Sequence, residues 1–386
     1  MKKVYCVGHA IVLTILIMAS TSTSMAAQNQ FWVFIGTDTH PPSKSKGIYL
    51  FRLDAGTGKV TDMGLAAELG DPGWQKISAD GKFLYTVGND DGHRISIAAA
   101  YRIDARTGAL TFLNKQPTHG NDSPHLDVDP DRTCAVVANY GSGDMSVMPI
   151  NPDGTLEAPT AVIEHSGSGV NPDRQKHPFP HSCNFDPTGK WVLTPDLGVD
   201  KVYVYRFDAA TRSLSSAEPA WAEVKPGSGP RHLSFSPDGK FAYLINEMGG
   251  TVVVFAWDPA HGRLQPLQTV STLRLDYSGQ NTSAEVRVLP NGRFLYASNR
   301  GPDELAIFAI NPTNGWLKSI GYQSTQGKGP RDFAIDPTGT FLLAANQYSD
   351  SVVMFRIDSQ TGLLTPTGTV LSAPTPICVK FLPVGN

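Results

Sequence analysis

The chain has 386 residues, with 32 Lys and Arg against 35 Asp and Glu and a formal charge of −3. That balance gives no overall attraction to nucleic acid or to an anionic membrane surface. With 37 Gly and 29 Pro the chain is rich in turn residues. No amphipathic helical stretch stands out, and the length suffices to bury a large apolar core.

The first 26 residues read as a signal peptide. Lys2 and Lys3 form a positive start, Ala10–Ala19 is an apolar run, and Ser24-Met-Ala26 has the small-x-small spacing of a cleavage site. The apolar run is short for a membrane span, and Cys6 sits too early to be a lipoprotein acceptor. Cleavage would remove two lysines and take the charge from −3 to −5. This predicts a periplasmic or secreted protein with no membrane attachment after processing.

Residues 30–386 read as one domain. It begins with two strand phrases, Phe31-Trp-Val-Phe-Ile-Gly-Thr37 and Lys46-Gly-Ile-Tyr-Leu-Phe-Arg-Leu-Asp54. A phrase then recurs six times, centred on positions 81, 132, 189, 239, 292 and 339, at intervals of 51, 57, 50, 53 and 47 residues. Its clearest copies are Leu233–Asn246 and Val286–Asn299. Each copy has a short alternating strand, a Pro-Asp-Gly-type turn and a more hydrophobic second strand. A β-branched third strand follows, then an Asp-x-x-Thr-Gly-type hairpin and a short fourth strand. A period near 50 residues with four antiparallel strands per unit is a β-propeller blade. The chain ends on a first-strand phrase, Pro376-Ile-Cys-Val-Lys-Phe-Leu-Pro383, with no second strand after it. The fold predicted is therefore an all-β, seven-bladed propeller whose last blade is closed by the N- and C-terminal strands, leaving no long open edge. Such a ring is complete as a monomer.

First strands line the central channel of a propeller, so their polar residues are candidates for chemistry. Aligned on the turns, one position holds Gly73, Pro124, His181, Arg231, Ala284 and Arg331. The next holds Trp74, His125, Ser182, His232, Glu285 and Asp332. Two residues on stand Lys76, Asp127, Asn184, Ser234, Arg287 and Ala334. Second-strand ends add Asn139, Asp196, Asn246-Glu247, Asn299-Arg300 and Asn346-Gln347. Arg, His and Glu converging on one mouth would make a polar, largely cationic pocket suited to an anionic or oxygen-rich small ligand. The Asp of the Pro-Thr-Gly turns and the repeated Asn are explained as turn formers. Cys134, Cys183 and Cys378 lie in strand phrases and read as small buried hydrophobes, with no disulfide favoured. No spacing resembles a zinc site, a P-loop, a dinucleotide fingerprint or a Gly-x-Ser-x-Gly elbow, so neither metal nor cofactor is expected.

The phrases Gly229-Pro-Arg-His232, Asn246-Glu247, Glu285-Val-Arg287, Tyr296-Ala-Ser-Asn-Arg300, Pro330-Arg-Asp332, Ala138-Asn-Tyr-Gly141 and Pro180-His-Ser-Cys-Asn-Phe-Asp-Pro187 resemble the seven-bladed propeller lactonases. That family includes 6-phosphogluconolactonase and the carboxy-muconate lactonizing enzyme. The resemblance implies a lactonase hydrolysing a sugar-type lactone, with His181, Glu247, Arg231 and Arg287 as catalytic residues. The channel-lining positions add His125, His232, Glu285, Arg300 and Arg331 as candidate substrate contacts, the family-like loop before His181 adds Arg174, and a small lactone or its acid is the only partner expected. Alternatives are a muconate-type lyase using the same residues, or a propeller that binds a ligand without catalysis. One departure stands out: Phe179 occupies a position where the family's Arg-Gln-x-x-x-His-x-His segment has its first His.

Overall fold

A computed structural model describes residues 29–89 and 95–385, besides Met1. The signal-peptide segment lies outside the described residues. Seven four-stranded antiparallel sheets form the ring. Blade 1 runs, from the channel outward, through Pro376–Pro383, Gln30–Thr37, Gly47–Asp54 and Lys59–Glu68. The C-terminal strand pairs antiparallel with the N-terminal one from Phe31↔Pro383 to Thr37↔Pro376. The expected shared blade is present, and it closes the ring.

The other six blades repeat one order. Their innermost strands are Gln75–Ile77, His125–Val128, Asn184–Phe185, Pro230–Phe235, Thr282–Val288 and Pro330–Ile335. Their second strands begin at Phe83, Cys134, Trp191, Phe241, Phe294 and Phe341. Both faces of each sheet meet a neighbour, which explains why second strands are apolar at successive residues instead of alternating. In blade 1, Val33 and Ile35 pack toward Phe341 and Leu343 of blade 7, while Trp32 and Phe34 pack toward Leu84 and Ile97 of blade 2. Successive strand side chains point to opposite faces, so one strand supplies two cores. Seven apolar clusters result, one between each pair of adjacent blades.

The repeated Tyr and the hairpin Gly explain each other. Tyr243 donates its hydroxyl hydrogen to the carbonyl of Gly315 in the next blade at 3.2 Å, and Tyr296 does the same to Gly362 at 2.9 Å. Gly315 has φ +72°, and a Cβ there would stand 2.5 Å from the Phe241 ring. The hairpin of one blade thus lies flat on the first aromatic of the preceding blade, which only Gly permits. The repeated Asn has more than a turn-capping role. Asn299 takes hydrogen bonds from Thr272 and Ser283 on Oδ1 and donates Nδ2 to the Thr272 carbonyl at 2.8 Å.

Two features of the innermost strands position the site. The ladders of blades 5 and 7 slip between Pro230 and His232 and between Pro330 and Asp332. Arg231 and Arg331 are therefore bulge residues, and a bulge re-aims a side chain. In blade 4 the ladder is reduced to Asn184–Phe185, with an isolated bridge at Pro180↔Asp196, so His181 and Ser182 stand outside it. Among the described residues no helix is long and apolar enough to cross a membrane.

Candidate functional site

Glu247 is the centre of one mouth of the channel. It follows Asn246 at the end of a second strand and is 5% exposed. Its Oε1 accepts from Arg174 Nη2 at 2.6 Å. Its Oε2 lies 3.0 Å from Arg231 Nε and 3.0 Å from Arg300 Nη2. His181 Nε2 stands 3.9 Å from the same oxygen, beyond hydrogen-bond reach. Four different segments supply these groups. Arg231 comes from the blade 5 bulge and Arg300 from the end of the blade 6 second strand. His181 comes from the irregular start of blade 4. Arg174 comes from a loop held by the Asn171 side chain, whose Oδ1 accepts the Arg174 backbone N–H at 3.0 Å.

The electrostatics follow from burial and crowding. Burial pushes the Glu247 carboxyl up, but Arg300, Arg231 and His181 outweigh it and hold it well below the usual carboxylate range. Burial, with Arg300 alongside, brings the Arg231 guanidinium down to about 9, leaving it charged at neutral pH. Burial, then Arg231 and His232, push His181 well below the ordinary histidine value, so the imidazole is neutral. Its Nδ1 is buried without a hydrogen-bond partner. Arg331 is half-buried, lowered by burial and then by Arg300. It makes no hydrogen bond or ion pair with the described residues. Three guanidinium groups thus pair with one carboxylate, and that of Arg331 adds positive charge nearby. A cleft of about 580 Å³ opens beside Arg300, with Lys328, Asp303 and Tyr348 on its walls.

Phe179, at the departure from the family segment, sits in an aromatic stack. Its ring is 4.6 Å from Tyr140 and 4.1 Å from His177. Tyr140 in turn meets His181 edge-on at 5.5 Å. Phe179 itself packs through Tyr140 toward His181 and offers no proton-transfer group.

A second group lies further along the channel. Arg287 has its Nε 3.5 Å from Glu285 Oε1 and its Nη2 3.6 Å from Asp332 Oδ1. Its guanidinium carbon is 5.6 Å from the centre of the Trp74 ring. His232 Nδ1 donates to Glu285 Oε2 at 2.7 Å. His125 stacks on Trp74 at 4.3 Å and meets His232 at 5.3 Å. Burial is the first cause that pushes both imidazoles well below the ordinary histidine value, followed by His232 for His125 and by Arg231 for His232. His181 and His232, 5.1 Å apart, join the two groups.

The ten residues singled out from sequence therefore divide in two. His181, Arg231, Glu247, Arg300 and Arg174 meet, with Arg331 beside them, and Arg287, Glu285, His232 and His125 form the other set. Arg287, expected among the catalytic four, contacts Glu285, Asp332 and Trp74 instead of Glu247. The spacing holds the reason. Arg287 lies three positions beyond the one shared by His181 and Arg231, which is about 10 Å along a strand. Arg300 carries a signal that marks it as the better partner: it follows Asn299 as Glu247 follows Asn246, one blade on. Trp74 and Lys380, both in contact with the deeper group, had no signal in the repeat alignment beyond position.

Among the described residues one set of three groups could approach a metal ion, Asp38, His40 and Asp71. Both ring nitrogens of His40 are already 3.0 Å from these carboxylates, and His40 is exposed.

The comparisons with known proteins match this architecture. The family model for seven-bladed β-propeller lactonases matches residues 32–381. The chain belongs to that lactonase family. A 6-phosphogluconolactonase of Bacillus subtilis is 36% identical over 349 residues, covering 90% of this chain and 97% of its own. One from Formosa agariphila is 34% identical over 309 residues, covering 79% of this lactonase-family chain and 86% of its own. The solved structure of the periplasmic gluconolactonase PpgL of Pseudomonas aeruginosa superposes with a TM-score of 0.86 at 34% identity, covering 92% and 99% of the two chains.

Proposed function

We propose that this lactonase-family protein is an exported hydrolase that opens a sugar-type lactone at the mouth built around Glu247. The observation that carries the reading is the crowding of Arg174, Arg231 and Arg300 around a single carboxylate, with the Arg331 charge nearby and next to a neutral imidazole. The named activities of the Bacillus and Formosa relatives support the reaction class. The periplasmic setting in the name of PpgL, together with the N-terminal segment, supports export and hence an unphosphorylated sugar lactone.

The chemistry is ester hydrolysis. Water attacks the lactone carbonyl carbon, and the carbonyl oxygen becomes an oxyanion. Arg300 and Arg231, with Arg331 free to contact substrate, stabilise that charge where water is excluded. Neutral His181 accepts the proton of the attacking water. The tetrahedral intermediate then collapses and breaks the ring C–O bond. The same proton passes to the departing alkoxide, giving a hydroxy acid. Glu247 is a poor base, because its proton affinity is depressed. Its role is to hold three guanidinium groups in one arrangement. A lactone carrying carboxylate or phosphate would find the remaining positive charge at Arg331 and Lys328.

The test is to assay the purified mature chain on glucono-lactone, 6-phosphoglucono-lactone and a muconolactone, following acid release. Hydrolysis of a sugar lactone that Arg300→Gln reduces at least a hundredfold supports the reading. Turnover of the muconolactone alone assigns the lyase reaction, and binding of all three without turnover assigns a non-catalytic propeller. Sequencing the N-terminus of protein recovered outside the cytoplasm tests export, with Ala27 expected first.

A further inference from the structure

The channel holds a second polar cavity that the proposed reaction does not use. It encloses about 190 Å³ and is walled by Trp74, Lys76, Asp127, Glu285, Arg287 and Lys380. None of the groups around Glu247 lines it, and His232 stands between the two sets. Water occupies about 30 Å³ per molecule in the liquid, so the space holds about six waters or a ligand of similar size.

The charged groups of this cavity leave more donor than acceptor capacity unused, although Gln75 Oε1, His232 Nε2 and Asp332 Oδ1 are also without a hydrogen-bond partner. The other carboxylate oxygens are hydrogen-bonded. Asp127 Oδ1 takes the Lys76 ammonium at 2.6 Å and the Val128 N–H at 2.9 Å, and Oδ2 takes the Phe185 N–H at 2.9 Å. Glu285 accepts from His232 at 2.7 Å and from the Val286 N–H at 3.0 Å. Asp332, behind Arg287, accepts the Val379 N–H at 2.8 Å. Two cations have donor capacity to spare. Arg287 Nε and Nη2 lie 3.5 and 3.6 Å from Glu285 and Asp332, as ion pairs without a hydrogen bond. Lys380 Nζ makes no hydrogen bond or ion pair with the described residues and rests 3.7 Å from the Trp74 ring centre. A half-buried ammonium held only by an aromatic face is a donor waiting for an acceptor.

We propose that this cavity is a second ligand site, which takes a small carboxylate between Lys380 and Arg287. Arg287 offers a planar fork suited to a carboxylate, and Lys380 a point charge. The size limits the ligand to about seven non-hydrogen atoms, the size of glycerate. The site stands whether or not the Glu247 mouth hydrolyses lactones.

The experiment is titration calorimetry of the mature protein with sodium glycerate, sodium phosphate and glycerol. Glycerate should bind with one-to-one stoichiometry, and glycerol, which lacks the charge, should not. Arg300→Gln, which alters the Glu247 mouth, should leave glycerate affinity within twofold, and Lys380→Met should weaken it at least tenfold. Trp74 supplies a second readout that needs no Lys380 variant. Glycerate should change tryptophan emission by drawing the ammonium off the ring, and Trp74→Phe should abolish the change. The proposal is overturned if glycerate does not bind, if its binding is lost in Arg300→Gln but kept in Lys380→Met, or if phosphate binds there and glycerate does not.

Discussion

Replacing Glu247 by Gln keeps the shape of the side chain and removes its charge. In the folded protein that charge sits 2.6, 3.0 and 3.0 Å from three guanidinium groups and is 5% exposed. A single ion pair at 3 Å has a gross attraction of about 5.5 kcal/mol at an effective dielectric constant of 20. Most of this is offset by burial, and removing one partner of a buried pair costs about 3–5 kcal/mol. Unfolding entropy of about 2.1 cal/mol/K per residue over roughly 350 ordered residues converts this to a fall in Tm of about 4–7 °C. The effect should depend on pH with a definite sign. Glu247 is depressed in the folded state, so its contribution is fully present above the unfolded value near 4.3 and is lost as pH falls through the folded one. The gap between parent and variant should therefore be constant from pH 6 to 8 and narrow on strong acidification. Thermal unfolding by circular dichroism in phosphate-free buffer measures it, since phosphate could itself pair with the exposed arginines. A variant melting within 1 °C of the parent at pH 7 would refute the idea that Glu247 holds these arginines together.

Four further outcomes follow from the geometry. Arg300→Gln should lower kcat for lactone hydrolysis about 10²–10³-fold, the usual cost of losing one oxyanion donor, whereas Arg287→Gln should cost less than tenfold; the reverse order would return Arg287 to the catalytic set. Because burial and Arg231 hold His181 below its ordinary value, the acid limb of the kcat/KM profile should lie below pH 6.5, and a limb above that pH would remove His181 as the base. His181→Gln should abolish that limb along with most of the turnover, measured by the same pH series. Cys134, Cys183 and Cys378 are free and buried, and burial pushes the Cys134 and Cys378 thiols up to about 12. In the native protein these three thiols should therefore resist a thiol reagent at pH 8 and react after denaturation.

The fold was legible because its punctuation is chemical. Pro-Asp-Gly turns and Asp-x-x-Thr-Gly hairpins recur at intervals of 47 to 57 residues, and Pro376–Pro383 reads as a first strand that pairs with the N-terminal one, so blade number and closure are countable. The candidate site was legible only as a set of residues. Alignment on turns gives depth along the channel, but Arg231, His232 and Arg287 differ in depth by up to three residues and were treated as one mouth. The bulges at Arg231 and Arg331, which decide where those guanidinium groups point, share a Gly-Pro-Arg phrase, but the phrase alone does not say that the ladder slips there. Nor does the loop phrase say that Arg174 reaches Glu247 across 73 positions of sequence. The equivalence of Glu247 and Arg300 in neighbouring blades was present in the sequence and is the more reliable guide, because it compares positions instead of residue types.

The pairing of Gln30–Thr37 with Pro376–Pro383 sets a condition on biosynthesis. The first sheet must wait, with one flank bare, until Pro376–Pro383 has been synthesised and set free. Any nascent intermediate is a horseshoe and not a circle. Shortening the tail by a few residues should therefore harm the whole molecule more than an internal nick in a surface hairpin would, since the nick leaves the clasp intact.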